Sequence, residues 1–231
     1  MSQAGRRPSA ARPDAAAVAA GHAIYTPSSL RAYDLIVHGL SNRFAWRCPT
    51  DLLQAHYRAN LADEHLEAGV GTGFFIDRAK RASFRRLTLL DINPACLAAS
   101  ARRLARYSPH TVQASLFDPL PEAPAYSSVG LTYVLHCLPG VMVGKAQVID
   151  ALRPVLDRGS VLFGATILGE GIAPNAAARR LLSLYNARGI FSNGRDSLDG
   201  LRQALERRFD SVEIEQRGLV ALFRATGLKP V

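Results

Sequence analysis

A chain of 231 residues that is 48% hydrophobic can bury a full core in one globular domain, and no run in it approaches the roughly 20 consecutive apolar residues of a membrane span. The net charge of +9 comes from 28 basic residues, 25 Arg and 3 Lys. They are dispersed apart from a small group at Arg78, Lys80, Arg81, Arg85 and Arg86, and without interleaved aromatics they make only a weak case for a nucleic-acid partner. Cys48, Cys96 and Cys137 are far apart and lack metal-ligand spacing, which fits free thiols in a reducing cytoplasm and no metal site.

Residues 1–24 are rich in Ala, Pro and Arg without periodicity and are expected to form a disordered tail. Residues 25–231 are expected to form a single domain. Ser28 or Ser29 can cap a helix through "LRAYDLIVHGL", with Leu30, Tyr33, Ile36, Val37 and Leu40 at helical spacing, and "CPTDLLQAHYRANL" predicts a second helix. Strands are then expected at 64–68, 86–91, 111–117, 128–135 and 160–168, with helices at 72–80, 93–107 and 141–156 between them. Asn93 is a good N-cap and Pro94 suits the first helical turn. Such alternation implies βαβ units, a mostly parallel sheet and helices on both faces. After helices near 175–187 and 197–208, "SVEIEQRG" and "LVALFRAT" are joined only by a tight turn at Gly218. Two strands so closely joined must be antiparallel, because a parallel pair needs a long crossover.

The first strand runs into a glycine turn, "EHLEAGVGTGFF", and a helix, which aims backbone N–H groups at a ligand. The dinucleotide fingerprint G-x-G-x-x-G would need glycine at position 74, which is Phe. Glu67 beside a pyrophosphate would cost on the order of a few kcal/mol at an effective ε of 20. A cofactor with a cationic group and no phosphate suits that position, and S-adenosyl-L-methionine has an ammonium and a sulfonium. Asp91 ends the next strand, 20 residues after Gly71, where an acid accepts hydrogen bonds from ribose hydroxyls. The bland alternatives are a surface ion pair with Arg for Glu67 and a helix cap for Asp91, the latter already supplied by Asn93.

"EAGVGTG", "LLDINP", "ASLFDPLP" and "LTYVLHCLPG", in this order, resemble the class I S-adenosylmethionine-dependent methyltransferases over about residues 28–226. The resemblance implies a Rossmann-like doubly wound α/β fold, with a seven-stranded sheet of order 3-2-1-4-5-7-6 and strand seven antiparallel. It further implies that Glu67, Gly69, Gly71 and Gly73 surround the methionine portion and that Asp91 holds the ribose. Ile92 would pack on adenine between Ser115 and Leu116, although many relatives carry Asp where Ala114 or Ser115 stands. The fourth strand would bring Tyr133, His136 and Cys137 near the transferable methyl. His136 is a candidate general base; the alternative is a core histidine.

Within the domain, residues 25–60 are expected to form N-terminal lid helices, with Tyr33, Asp34, Asn42, Trp46 and Cys48 over the site. Trp46 is either an aromatic roof or ordinary helix-to-sheet packing. Residues 169–196 are expected to be a substrate-covering insert contributing Tyr185, Asn186, Phe191 and Asn193. Both segments resemble natural-product methyltransferases of bacteria and fungi. The leading expectation is therefore methyl transfer to O, N or C of a small, secondary metabolite. Competing expectations are a cofactor-binding protein that transfers no methyl, such as a cyclase or assembly partner, and a methyltransferase of RNA or protein. Against RNA, the positions after strand four read "YVLH" rather than an "NPPY"-type tetrapeptide. An NAD-linked oxidoreductase is the weakest, lacking the third glycine.

Overall fold

The computed structural model describes residues 34–121 and 123–230. The tail at 1–24, the Ser28/Ser29 cap and Tyr33 lie outside them. The described chain builds one seven-stranded sheet in the order β3-β2-β1-β4-β5-β7-β6. Its strands are β1 (Glu64–Ala68), β2 (Arg86–Asp91), β3 (His110–Gln113), β4 (Ser128–Thr132), β5 (Val161–Ile167), β6 (Phe209–Arg217) and β7 (Val220–Leu228). The first five pair in parallel, and β7 runs antiparallel to both β5 and β6. Order and hairpin are those expected.

Both faces are covered. Alternation along the strands sends Leu87, Leu89, Phe163 and Ala165 into one core cluster and Leu90, Val129, Leu131 and Leu162 into another. The helices are α1 (Thr50–Asn60), α2 (Phe74–Ala79), α3 (Pro94–Arg103), α4 (Met142–Lys145), α5 (Gln147–Ala151), α6 (Ala176–Ala187) and α7 (Leu198–Glu206). Asn93 caps α3 by accepting from Ala95 N–H, with Pro94 in its first turn. No helix among the described residues is long and apolar enough to cross a membrane.

Several boundaries differ from expectation. The first helix is π-wound, Asp34–Ala45, and runs past residue 40. The expected helix at 93–107 ends as α3 at Arg103 and finishes as a 3₁₀ turn, Ala105–Tyr107, before Ser108 turns left-handed. The expected helix at 141–156 is broken into α4, α5 and a 3₁₀ turn at Arg153–Val155 that contains Pro154. β3 stops at Gln113 because Ser115 closes a turn, its carbonyl accepting from Asp118 N–H at 3.0 Å. β4 stops at Thr132 because Tyr133 takes φ +62°, a left-handed conformation rare for a bulky side chain.

Candidate functional site

The glycine turn leaves β1 with Gly69 N–H and Val70 N–H both donating to Leu90 carbonyl, at 2.7 and 3.1 Å. Gly69, Gly71 and Gly73 all have positive φ, which only glycine adopts without strain. A Cβ at Gly69 would strike Val134, whereas one at Gly71 would meet nothing within 4 Å. That open space belongs to two adjoining cavities, both lined by Gly69, Gly71 and Tyr133.

One cavity, of about 700 Å³ including space open to solvent, continues over Asp91, Ile92, Cys96, Ser115, Leu116, Phe117, Val134, Cys137, Leu138 and Pro139. Apart from Asp91 its wall is mostly apolar. Asp91 is fixed by two backbone donors, Gly71 N–H on Oδ2 at 3.0 Å and Asn93 N–H on Oδ1 at 2.9 Å. One carboxylate thus ties the glycine turn to the β2 loop. Ile92, Ser115 and Leu116 lie on the same cavity wall as Asp91.

The second cavity, of about 500 Å³, extends to Glu67, Thr72, Gly73, Phe74, Phe75, Ile76 and Thr132. Glu67 is buried, and among the described residues no arginine is its partner. Its Oε2 instead accepts from Tyr57 Oη at 2.5 Å and bonds His65 Nε2 at 2.8 Å. His65 and Glu67 are two residues apart on β1 and so share a face. Glu67 lies opposite Gly130 on β4, where any Cβ would collide with Oε2. Among the described residues no Lys or Arg lines either cavity.

Cys96 and Cys137 both line the first cavity, and burial pushes each thiol up to about 12. They stay protonated and unreactive at neutral pH. Among the described residues no group of three His, Cys, Asp or Glu is arranged for a metal ion.

His136 is not on either cavity wall. It is buried, and its Nδ1 accepts from Ile167 N–H at 3.3 Å and lies 3.5 Å from Thr166 Oγ1. Burial, then the charge of Lys145, pulls its pKa down to about 3. The lone pair a base would use already faces a backbone donor, so of the two sequence alternatives the geometry fits the core histidine. Trp46 likewise fits packing better than a roof. It is 1% exposed, its carbonyl accepts from Leu219 N–H at 2.9 Å, and its ring lies 6.1 Å from that of Phe191.

Asn42 is fully buried and joins the helical segment before β1 to the cavities: its Oδ1 accepts from Tyr133 Oη at 2.8 Å and its Nδ2 donates to Thr50 Oγ1 at 3.0 Å. Phe191 sits edge-on to His136 and to Tyr185, at 4.5 and 4.9 Å. Asn186 and Asn193 pair through Nδ2–H to Oδ1 at 2.9 Å, and Asn193 Nδ2 donates to Ile167 carbonyl at 2.9 Å. Tyr185, Asn186 and Phe191 therefore form a packed layer against His136 and do not line the two cavities themselves. Sequence reasoning missed Tyr57 and His65. For His65 the signal was present, a histidine two residues before Glu67 on the same strand.

No protein-family model matches the chain. The demethylluteothin O-methyltransferase of Streptomyces thioluteus is 40% identical over 207 residues, covering 89% of this chain and 90% of that protein. The physcion biosynthesis cluster O-methyltransferase of Aspergillus chevalieri is 35% identical over 215 residues, 91% of this chain and 95% of that protein. The solved DhpI–SAH complex shares the fold, with a TM-score of 0.70 at 15% identity over 95% of this chain and 100% of that one. With relatives this similar over nearly their full length, and with the strand order and glycine turn described above, the chain belongs to the class I S-adenosylmethionine-dependent methyltransferases of natural-product pathways.

Proposed function

We propose that the paired cavities hold S-adenosyl-L-methionine and that the chain methylates a hydroxyl oxygen of a small secondary metabolite. The observation that carries this is the open space beside Gly71, bounded by Glu67 on one side and by Asp91 with an apolar wall on the other. The residues fit that group. Asp91 suits ribose hydroxyls, and Ile92, Leu116 and Phe117 offer adenine an apolar bed. Ser115 stands at its edge. Glu67 complements an ammonium, and the glycine turn lets the backbone approach closely. Among the described residues, a phosphate-bearing cofactor would find no cation on either wall.

When bound, S-adenosyl-L-methionine supplies an electrophilic methyl on a sulfonium. The chain's own residues contribute position and exclusion of water. Tyr133, held by Asn42 and by its left-handed backbone, stands where the cavities meet. Lined up with the methyl, an acceptor oxygen gains most of its rate from orientation. The acceptor's proton passes to solvent, because His136 is occupied and both thiols on the wall are held protonated. Oxygen as the methylated atom is supported by the O-methyltransferases among the relatives. We place the enzyme in the cytoplasm, acting without nucleic acid or membrane. The test is incubation with methyl-labelled S-adenosyl-L-methionine and a panel of small phenols, enols and amines, read by mass spectrometry. Label on oxygen, as the methyl ether of a phenol or enol, supports the proposal; label only on nitrogen or carbon overturns the oxygen assignment.

A further inference from the structure

Glu67 does not enter its cavity alone. Tyr57, on α1, donates to its Oε2, and the tyrosine ring is fixed by stacking on Phe75 at 5.5 Å and by an edge contact with Phe163 at 5.2 Å. His65 reaches the same oxygen through Nε2, while its Nδ1 lies 2.9 Å from Ser128 Oγ. Ser128 Oγ in turn accepts from Ala62 N–H at 2.9 Å. The donors then run in one direction. Ala62 N–H fills a lone pair of Ser128, the Ser128 hydroxyl donates to Nδ1, and Nε2–H donates to Glu67. Tyr57, His65 and Ser128 are all essentially excluded from solvent. Burial and the Glu67 charge push the Tyr57 phenol well above its usual range, so it remains a donor throughout the working pH.

Two donors converging on one carboxylate oxygen fix its rotamer. Both fall on Oε2, and Gly130 leaves that oxygen the room it needs. We propose that Tyr57 and His65 are positioning residues of the cofactor site, holding Glu67 as a fixed anion for the ammonium at the amino-acid end of the ligand. The inference rests on the proposed function, because it assumes that a ligand carrying an ammonium occupies the Glu67 cavity.

The test is Tyr57→Phe, which removes one hydroxyl and keeps the ring that packs on Phe75 and Phe163. Its affinity for two ligands is measured by calorimetry. S-adenosylhomocysteine carries the amino-acid end, and 5′-methylthioadenosine has the same nucleoside without it. The expected result is a 5- to 30-fold weaker Kd for S-adenosylhomocysteine with an unchanged Kd for 5′-methylthioadenosine. Glu67→Gln, which keeps shape and loses charge, should give the same selective loss and guards against a folding defect in the tyrosine variant. Equal weakening of both ligands would make the network merely structural, and no weakening of either would also overturn the proposal. If the wild-type protein bound neither ligand, it would be the cofactor assignment that failed, not the relay.

Discussion

Lys145 and Asp196 form a fully buried ion pair at 2.5 Å, and Lys145 Nζ also donates to Ser192 carbonyl at 2.8 Å. The pair clips the end of the 169–196 segment onto α4. The same Asp196 closes the segment's start, its carbonyl accepting from Gly169 N–H and Glu170 N–H at 3.0 and 3.1 Å. Burial pulls the Lys145 pKa down and pushes the Asp196 pKa up, so desolvation outweighs the mutual attraction of the two charges. Asp196 Oδ1 is moreover buried with no hydrogen-bond partner. Such a pair contributes little net stability but is costly to break from one side. Lys145→Met should destabilise by about 3–5 kcal/mol, because it strands a buried carboxylate. Asp196→Leu alone should cost a similar amount, and combining the two should recover most of the loss, so that the double variant is far more stable than the sum of the singles would make it. Urea unfolding of the wild type, both singles and the double supplies the cycle. A single-variant loss below about 1 kcal/mol, or a double as unstable as the sum of the singles, would refute the reasoning.

Other perturbations address the site and its surroundings. Asp91→Ala should weaken S-adenosylhomocysteine binding by about 1–3 kcal/mol with the fold retained; an unchanged Kd by calorimetry would remove Asp91 from the site. Gly71→Ala should cost about 1–2 kcal/mol of stability for its positive φ. Binding should suffer more than that, since the methyl enters the open space beside the turn; a variant that binds normally would show that space to be idle. Trp46→Ala should lose roughly 3–5 kcal/mol, with kinetics per folded molecule nearly unchanged, and a raised acceptor KM would restore the roof. His136 has a folded pKa of about 3, below its unfolded 6.5. The unfolded chain therefore binds the extra proton first, and the contribution present above pH 6.5 is lost as pH falls toward 3. By pH 5 the loss is about 2 kcal/mol. His136→Gln should flatten that dependence in urea titrations at pH 7.5 and 5.

The mostly parallel sheet and its antiparallel end were legible in the βα alternation and the two-residue hairpin, whereas the strand order came from the family resemblance. The glycine turn was legible because three backbone positions at positive φ accept nothing else. Tyr133 was located, but its left-handed backbone was not, since a tyrosine gives no sign of such a conformation. That is why β4 was read three residues too long. Trp46 and His136 could not be resolved from pattern, because a lone aromatic shows neither which side of a wall it lies on nor what its ring nitrogen meets. Tyr57 was invisible as a site residue: its helix reads as ordinary amphipathic packing, and only the fold brings it onto Glu67.

The proposed cofactor site joins the glycine turn, Glu67 and Asp91 in the native chain, and titration of S-adenosylhomocysteine into the protein by calorimetry is its most direct test. Saturable binding is expected at one site per chain, competed by S-adenosyl-L-methionine and left undisturbed by NAD. Absence of binding, or equal binding to a Gly71→Ala, Asp91→Ala double variant, would contradict it.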